Sequence, residues 1–565
     1  MYYATDKFLF ITPVCRKNLA RCNPAKLGEL DNRHRAIEKD FHEHIYVYRD
    51  IYYCMKTFAH AVALITVFAV TTRAIGFVFR IFLSRVLGAE MLGVYQIALS
   101  FFMVFLTIVA SGLPLVVSKE VAKAVERGKD KDIAKVAIAG LVIALVLGAL
   151  LCVTVYLLRE FVGTVFTDKR CLQILLVLMP GVLFSAPYIA LRAVWWGEKR
   201  FFLLGVTELF EQMIRVILFV LVLGIGFMGL DSAGLAAVSF TMACAASAVA
   251  VIVVYMKQRR NASLRGAKGN EAIPTKTFYS PLIKSAAPIT GVRVIGSIAL
   301  PIISVILPLR LVKAGWTASQ AIAGYGIMVG MTLPLLTIPG TIISALSTAL
   351  VPELSGLRQS GDITAVHKRV VGSLRFTLFI VFLMLPAFMA IGEGVGIFLY
   401  DNALAGTYLT QMAWVMIPIA LSQITNAILN SLGAEMKALK HYVYGSVALF
   451  ACVWFMPEYI GVTAFALGMG LCMGIASILN LIMIARITKA GTGTLKLVTA
   501  FTVITVPAAL LGFFTFGIAR HVWPLFITLG IAGSASVAVV LILSHVFGVV
   551  DLKDFRLSRK APRLR

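Results

Sequence analysis

Arginine grips phosphate where bulk water is excluded, because its guanidinium presents paired N–H donors that match two phosphate oxygens. The stretch TTRAIGFVFRIFLSR, residues 71–85, sets Arg73, Arg80 and Arg85 in a run otherwise apolar enough to cross a bilayer. An arginine near a bilayer centre costs roughly 2.5 to 3.5 kcal/mol on insertion scales, so each must snorkel, find a partner or face water inside the protein. Residues seven apart on an α-helix differ by about 20° in direction and about 10 Å in height. Arg73 and Arg80 therefore share one stripe, flanked by Gly76 and Ser84. Arg85 points away from it near the end of the run, where snorkelling accounts for it.

The design returns later as Thr290, Arg293 and Ser297 at helical spacing. RAIG at 73–76 recurs as RVIG at 293–296, GVY at 93–95 as AGY at 323–325, and SGLPLVVSKEV loosely as STALVPELS. These markers keep their order, which points to an internal duplication with Arg73 and Arg293 as counterparts. Either the two converge across an axis between the halves and line a wet, cationic cavity, or each pairs with helix-end carbonyls or an acid elsewhere. Glu208, Glu211, Gln212 and Arg215 share another helix face, with Glu211 and Arg215 at the favourable i, i+4 spacing. Arg215 is then neutralised by Glu211 or turned toward a substrate. Few other acids lie within the apolar runs, so the embedded charge suits an anion such as a phosphate or pyrophosphate. The candidate binding residues are Arg73, Arg80, Arg293 and Arg215, with Glu211, Thr290 and Ser297 in support.

These side chains need long apolar helices to hold them. Of 565 residues, 59% are hydrophobic and 14% charged, against about 25% charged in soluble domains. The mean hydropathy is +0.90. Continuous apolar runs of about 20 residues, without strand alternation, predict an all-α polytopic membrane protein rather than a barrel. About fourteen transmembrane helices are expected, among them spans near 61–87, 92–116, 205–228 and 322–350. Lys119, Lys123, Arg127, Lys129, Lys131 and Lys135 follow the second span, and another basic cluster lies between Lys257 and Lys284. The other series of loops carries fewer, such as Arg159 and Arg310. Short cytoplasmic loops collect Lys and Arg, so both termini are expected in the cytoplasm.

The expected organisation is an N-terminal extension, 1–54, then an N-lobe of six spans, 55–256, and a cytoplasmic linker, 257–280. A C-lobe of six spans, 281–490, a helix pair, 491–548, and a basic tail, 549–565, complete it. Two lobes of like orientation relate by an axis along the membrane normal. The extension reads as disordered or as an upstream start, and the tail as clinging to the anionic inner leaflet. The net charge of +25 is explained by topology rather than nucleic acid, because no soluble segment is large enough to fold into a binding module. Cys15, Cys22, His42 and His44 match no familiar zinc spacing, so no metal is expected. Gly112, Pro114, Pro339 and Gly340 are candidate hinges, although Gly and Pro are also common in membrane helices. Gln423, Asn426 and Asn430 form a polar face that serves either as interhelical glue or as a sugar contact.

Four stretches carry a family resemblance: TTRAIGFVFRIFLSRVLGAEMLGVYQ, SGLPLVVSKEVAKAVERGKDKD, GYGIMVGMTLPLLTIPGTIISALSTALVPELS and NAILNSLGAEMKALKHY. They resemble the multidrug, oligosaccharidyl-lipid and polysaccharide flippase superfamily, in the branch holding stage V sporulation protein B and the lipid II flippases. The resemblance implies two six-helix lobes around a central cavity, an added helix pair, and export of a polyprenyl-pyrophosphate-linked sugar precursor by alternating access. In that branch a first-helix arginine lines the cavity, and Arg73 in RAIGF matches it; the next one falls a residue before Arg80. The arginines on the second and eighth helices have no counterpart in SFFMVFLTIVASG or YGIMVGMTLP.

The function so read is a flippase for an anionic lipid-linked glycan precursor, lipid II foremost, serving cell wall or spore cortex synthesis. Its partners are the lipid-linked oligosaccharide and the membrane, it acts as a monomer, and it resides in a bacterial plasma membrane. An exporter of another lipid-linked polysaccharide unit fits the same pattern. A cation-coupled multidrug antiporter would want embedded carboxylates, and an enzyme a sizeable outer loop bearing acids or histidines. No cofactor is expected: the chain shows no nucleotide-binding glycine loop, which leaves an ion gradient or the membrane potential as the energy source.

Overall fold

Backbone N–H and C=O groups within a bilayer must be satisfied inside their own segment, so apolar runs of this length fold as helices. The computed structural model describes residues 33–226, 231–264, 274, 276–491 and 493–548, and every regular element among them is helical. The first half contains α1 (Arg33–Ala110), α2 (Gly112–Glu126), α3 (Asp130–Leu157), α4 (Arg159–Val165), α5 (Lys169–Gly197), α6 (Phe201–Ile225) and α7 (Ser232–Leu264). The second begins with α8 (Lys276–Ser297), α9 (Ala299–Lys313) and α10 (Ala318–Gly326), then a π-helical turn, Ile327–Thr332. It continues through α11 (Leu333–Leu336), α12 (Ile338–Gln359), α13 (Ile363–Tyr400), α14 (Ala403–Met412), α15 (Met416–Ser431), α16 (Glu435–Phe455), α17 (Pro457–Ile460) and α18 (Thr463–Thr488). A final pair, α19 (Thr494–Ala519) and α20 (Leu525–Val546), lies against α13.

Among the described residues, 13 helical stretches are long and apolar enough to cross a membrane, where the sequence led us to expect about fourteen spans. Three local features account for the difference. The first two expected spans run together through Gly88, whose φ of 69° and ψ of 177° turn the chain within α1. The expected span 322–350 appears as two stretches parted at Thr337. The expected span 205–228 is α6, whose 25 residues reach about 37 Å, but Glu208, Glu211 and Arg215 keep it from being uniformly apolar. Residues 33–54 of the expected extension belong to α1, while 1–32 and the tail 549–565 lie outside the described residues. The expected linker is narrowed from both sides, since α7 runs to Leu264 and α8 starts at Lys276. The linker's residues 265–273 and 275 lie outside the described residues.

Packing divides the chain into two lobes. In the first, α5 lies against α1, α2, α3 and α7, and α6 packs between α1 and α7. In the second, α18 packs on α15 and α16, and α13 on α14 and α15. The lobes meet where α1 crosses α10 and the π-turn, and where α2 lies against α8. The repeat markers GVY and AGY stand at the first of these crossings. A Cβ on Gly93 would overlap the Ile322 carbonyl, and one on Gly326 would overlap the Ala89 carbonyl. Only glycine lets the two backbones approach this closely, which is how small residues join membrane helices without a hydrophobic driving force.

Candidate functional site

The Gly88 end of the seam is tied by polar contacts from both lobes. Arg85 Nε donates to the Leu399 carbonyl at 2.7 Å, and Arg85 Nη2 donates to the Phe398 carbonyl. These carbonyls belong to the last turn of α13, where the helix leaves its acceptors without internal partners and its dipole favours a cation. The snorkelling role expected of Arg85 is thus replaced by capping a helix of the other lobe. Beside it, Glu90 accepts from Arg170 Nη2 at 2.5 Å and from Ser319 Oγ at 2.6 Å. Arg170 Nη2 also donates to Asp168 at 2.7 Å. Burial pushes the Asp168 carboxyl up, but the hydrogen bonds and charge of Arg170 prevail and hold it below the usual aspartate range.

About three helical turns below Arg85, Arg73 reaches across the seam. Its Nη1 donates to Ser344 Oγ at 2.5 Å and to the Thr341 carbonyl at 3.4 Å, both on α12. Arg73 is nevertheless exposed, as are Arg80 and Arg293. A guanidinium facing hydrocarbon would be costly, so an exposed arginine in an apolar helix calls for water or a polar partner. α12 suits that setting. It is the least buried of the candidate spans, and Thr341, Ser344 and Thr348 lie at i, i+3 and i+7 on one face toward the α1 side. The opposite side of the seam is different in kind: a cavity of about 300 Å³ lined by side chains such as Phe101, Phe105, Pro301 and Ile302 offers an anion no donor.

Arg293 makes no hydrogen bond or ion pair among the described residues, and it does not share the contact that Arg73 makes with α12. Its expected supporters turn elsewhere. Thr290 lies against Gly112, where an added Cβ would meet its hydroxyl, and Ser297 Oγ donates to the Val294 carbonyl at 2.9 Å within its own helix. Arg80 also makes no hydrogen bond among the described residues. It stands on α1 between Arg73 and Arg85 in the chain.

Inside the lobes, polar groups are paired. Arg215 Nη2 donates to Glu211 at 2.5 Å, and its guanidinium lies 4.8 Å from the Phe240 ring centre. Gln212 does not turn away: its amide packs against Gly76 of the RAIG motif. Glu208 departs from the grouping expected on α6 and pairs instead with Arg192 of α5 at 3.1 Å. The C-lobe uses neutral groups. Asn480 Nδ2 donates to Thr425 at 3.1 Å and to Asn426 at 2.9 Å, while its Oδ1 meets His441 Nδ1 at 2.8 Å. Of the two roles weighed for Asn426, the geometry is that of glue between α15, α16 and α18.

The candidate hinges coincide with breaks. Ser111 interrupts the helix between Ala110 and Gly112, with Pro114 in the first turn beyond, and Gly112 is pressed onto the Ala286 carbonyl of α8. Thr337 (φ −93°, ψ 0°) separates α11 from α12, which opens with Pro339 in its first turn. Gln423 Nε2 donates to the Gly340 carbonyl at 3.0 Å, fastening that break to α15.

Two helical lobes, unpaired arginines between them and interrupted helices at their junction define a multi-pass membrane transporter. The chain belongs to the family described as "Polysaccharide biosynthesis protein", whose model matches residues 58–358. It is 24% identical over 511 residues to stage V sporulation protein B of Bacillus subtilis, covering 89% of this chain and 97% of that one. It is 24% identical over 405 residues to the lipid II flippase MurJ of the same organism, covering 66% and 73%. Among solved structures it is similar to the lipid II flippase MurJ in an inward closed conformation, with TM-score 0.62, 15% identity, and coverage of 86% of this chain and 98% of that one. A multidrug resistance MATE transporter in an inward-facing conformation matches with TM-score 0.59, 14% identity, and coverage of 75% and 98%.

Proposed function

We propose that the protein is a flippase that carries a polyprenyl-pyrophosphate-linked glycan precursor across the bacterial cell membrane, and that lipid II is its principal substrate. The observation that carries this reading is Arg73, exposed in the seam and bonded to Ser344 on the opposite lobe. A pyrophosphate offers Arg73 a charged acceptor in place of a neutral hydroxyl, and charge-assisted bonds are roughly twice as strong as neutral ones. The anion therefore displaces Ser344, and the contact between α1 and α12 is released as the head group enters. The hydrocarbon tail stays in the bilayer throughout. The names of the two Bacillus relatives support wall or spore-cortex synthesis as the setting.

Loop charges support cytoplasmic termini, which puts the Gly88 end outside and the α12 hydroxyls toward the side of loading. Energy then comes from an ion gradient or the membrane potential acting on a monomer. The multidrug reading is not favoured, because Glu208 and Glu211, which would have to hold the coupling cation, are each taken by an arginine. The test is reconstitution into vesicles with labelled lipid II and a competing lipid-linked oligosaccharide. Lipid II is expected to become accessible on the far leaflet, with weak competition. Preferential movement of the competitor would replace the substrate, and movement of neither would reject the reading.

A further inference from the structure

The hydrogen-bond network inside the C-lobe has a fixed direction. Thr425, fully buried on α15, spends its only hydroxyl hydrogen on its own helix, 2.7 Å from the Leu421 carbonyl. Toward Asn480 it can only accept, so the group facing it at 3.1 Å is the Asn480 amide nitrogen. The second hydrogen of that nitrogen goes to Asn426 Oδ1 at 2.9 Å. What remains of the amide is Oδ1, an acceptor, 2.8 Å from His441 Nδ1. His441 Nδ1 therefore carries the hydrogen, and Nε2 keeps a lone pair with no hydrogen-bond partner among the described residues. The side chain is half-buried. An imidazole held in one tautomer with its other nitrogen open is a proton acceptor, and histidine is the side chain that ordinarily changes charge between about pH 5 and 8. The same network leads toward the seam. Thr425 and Asn426 share α15 with Gln423, whose Nε2 donates to the Gly340 carbonyl at 3.0 Å, and Gly340 lies one turn before Ser344, the partner of Arg73.

Building on the flippase reading, we infer that His441 is a proton-binding site that couples transport to a proton gradient, acting through Asn480 and α15 on the break before α12. A proton from water adds to the Nε2 lone pair and later returns to water. Nδ1 keeps its hydrogen, so no bond of the network is broken, and the bond to Asn480 becomes charge-assisted and stronger. The imidazolium thereby draws α16 and α18 onto α15, the helix that fastens Gly340. On its own helix the ring is accompanied by Glu435, Lys440, Tyr442, Tyr444 and Lys437, whose Nζ is turned to Met483 Sδ at 3.8 Å. Of the helices packed against α16, α18 brings Cys472 and Arg486, and α15 brings no titratable side chain. Arg310 and Lys313 of α9, with Glu458 and Tyr459 of α17, gather at the far end of α16, where Arg310 lies 5.2 Å from the Trp454 ring centre.

The test uses vesicles holding the full-length protein and labelled lipid II, first at neutral pH on both faces and then with one face or the other acidified by a single unit. The wild-type protein is expected to move lipid II about threefold faster in one of the two gradients, within the tenfold change in proton occupancy that one unit of pH allows. His441→Gln should keep the wild-type rate at symmetric neutral pH and lose the gradient response. Asn480→Ala should behave alike, because it cuts the link between the imidazole and α15. A merely structural His441 predicts the reverse: lower stability with the response intact. Where His441→Gln fails to insert, nitrogen NMR of the wild-type protein with labelled histidine decides, since His441 must pass from the Nδ1–H form to the imidazolium between about pH 8 and 5. A His441 that stays neutral over that range, a gradient response kept by His441→Gln, or a response to sodium in place of protons overturns the site. Lipid II movement at symmetric pH without any gradient response rejects the proton site alone, whereas no movement under any condition rejects the flippase reading as well.

Discussion

The interiors of the lobes and the seam between them handle buried polarity in opposite ways. Within the N-lobe, Arg215 is matched by Glu211, Arg192 by Glu208, and Arg259 by Glu198. Within the C-lobe, Asn480, Thr425, Asn426 and His441 satisfy one another without net charge. At the seam, among the described residues, Arg73 has only a hydroxyl and a carbonyl, while Arg80 and Arg293 have no hydrogen bond. Paired groups hold helices together and leave nothing over for a ligand. Unmatched cations in a place where charge is expensive are kept for something that arrives with the opposite sign. The proposed function therefore draws on the seam, and the paired groups on the cohesion of each lobe.

The largest effect should come from the seam. Arg73→Ala removes two charge-assisted bonds to a pyrophosphate, each worth about 1.5 to 3 kcal/mol, so transport of lipid II in vesicles is expected to fall by about a thousandfold. Insertion and thermal melting should not change, because the Ser344 hydroxyl left behind can hydrogen-bond to its own helix. Arg293→Ala is the companion test of the duplication, with a comparable loss if the second copy contributes equally and none if it faces only water.

A paired arginine should respond in the reverse manner. Arg215→Met strands Glu211 on a half-buried face and is expected to lower stability by about 2 to 3 kcal/mol, less than the 3 to 5 of a fully buried pair. Arg215→Met with Glu211→Leu should recover most of it, as replacing both members of a buried pair does. Transport that returns with stability makes Arg215 structural. Transport that stays lost in the stable double variant moves Arg215 to the seam's side of the comparison.

How much of this was legible beforehand depended on the range of the interaction. The 3.6-residue period put Arg73 and Arg80 on one stripe and Glu211 beside Arg215, and both are local facts about one helix. The apolar runs marked the spans, and the Gly and Pro positions marked the breaks at Ser111 and Thr337. The partners of Arg85 are more than 300 residues away, and carbonyls at a helix end carry no residue-type signal. Glu208 was grouped with its own helix because the spacing allowed it, but Arg192 on α5 competes successfully. One signal was available and passed over: Thr341, Ser344 and Thr348 share a helical face in GTIISALST, a stretch read for its hinge glycine, the repeat and its family likeness but not for its hydroxyls.

The neutral network of the C-lobe should give a smaller response. Asn480→Ala leaves His441 Nδ1 and the Asn426 carbonyl oxygen without their partner. The expected loss is about 1 to 2 kcal/mol by melting in detergent, near the average of about 0.6 kcal/mol per membrane hydrogen bond summed over three. Because the network lies inside one lobe, the transport rate per folded molecule should be unaltered. A rate that falls out of proportion to stability would show that α15, which also holds Gln423 against the Gly340 carbonyl, transmits the network to the break before α12, and the division between lobe and seam would weaken.

The smallest effect belongs to the rim of the seam. Asp168 is held below the ordinary aspartate pKa by Arg170, so its contribution is fully present above about pH 4 and disappears as the pH falls through the lowered folded-state value. Asp168→Asn should therefore cost less than about 1 kcal/mol at neutral pH and flatten the acid limb of a melting curve without moving its neutral plateau. Arg170 would still hold Glu90, and Glu90 would still bind Ser319 across the lobes. If acid also speeds lipid II movement in the wild-type protein and Asp168→Asn abolishes that gain, the rim is a brake on opening. An unchanged pH–rate profile assigns Asp168 to the lobe interior, where pairing serves structure alone.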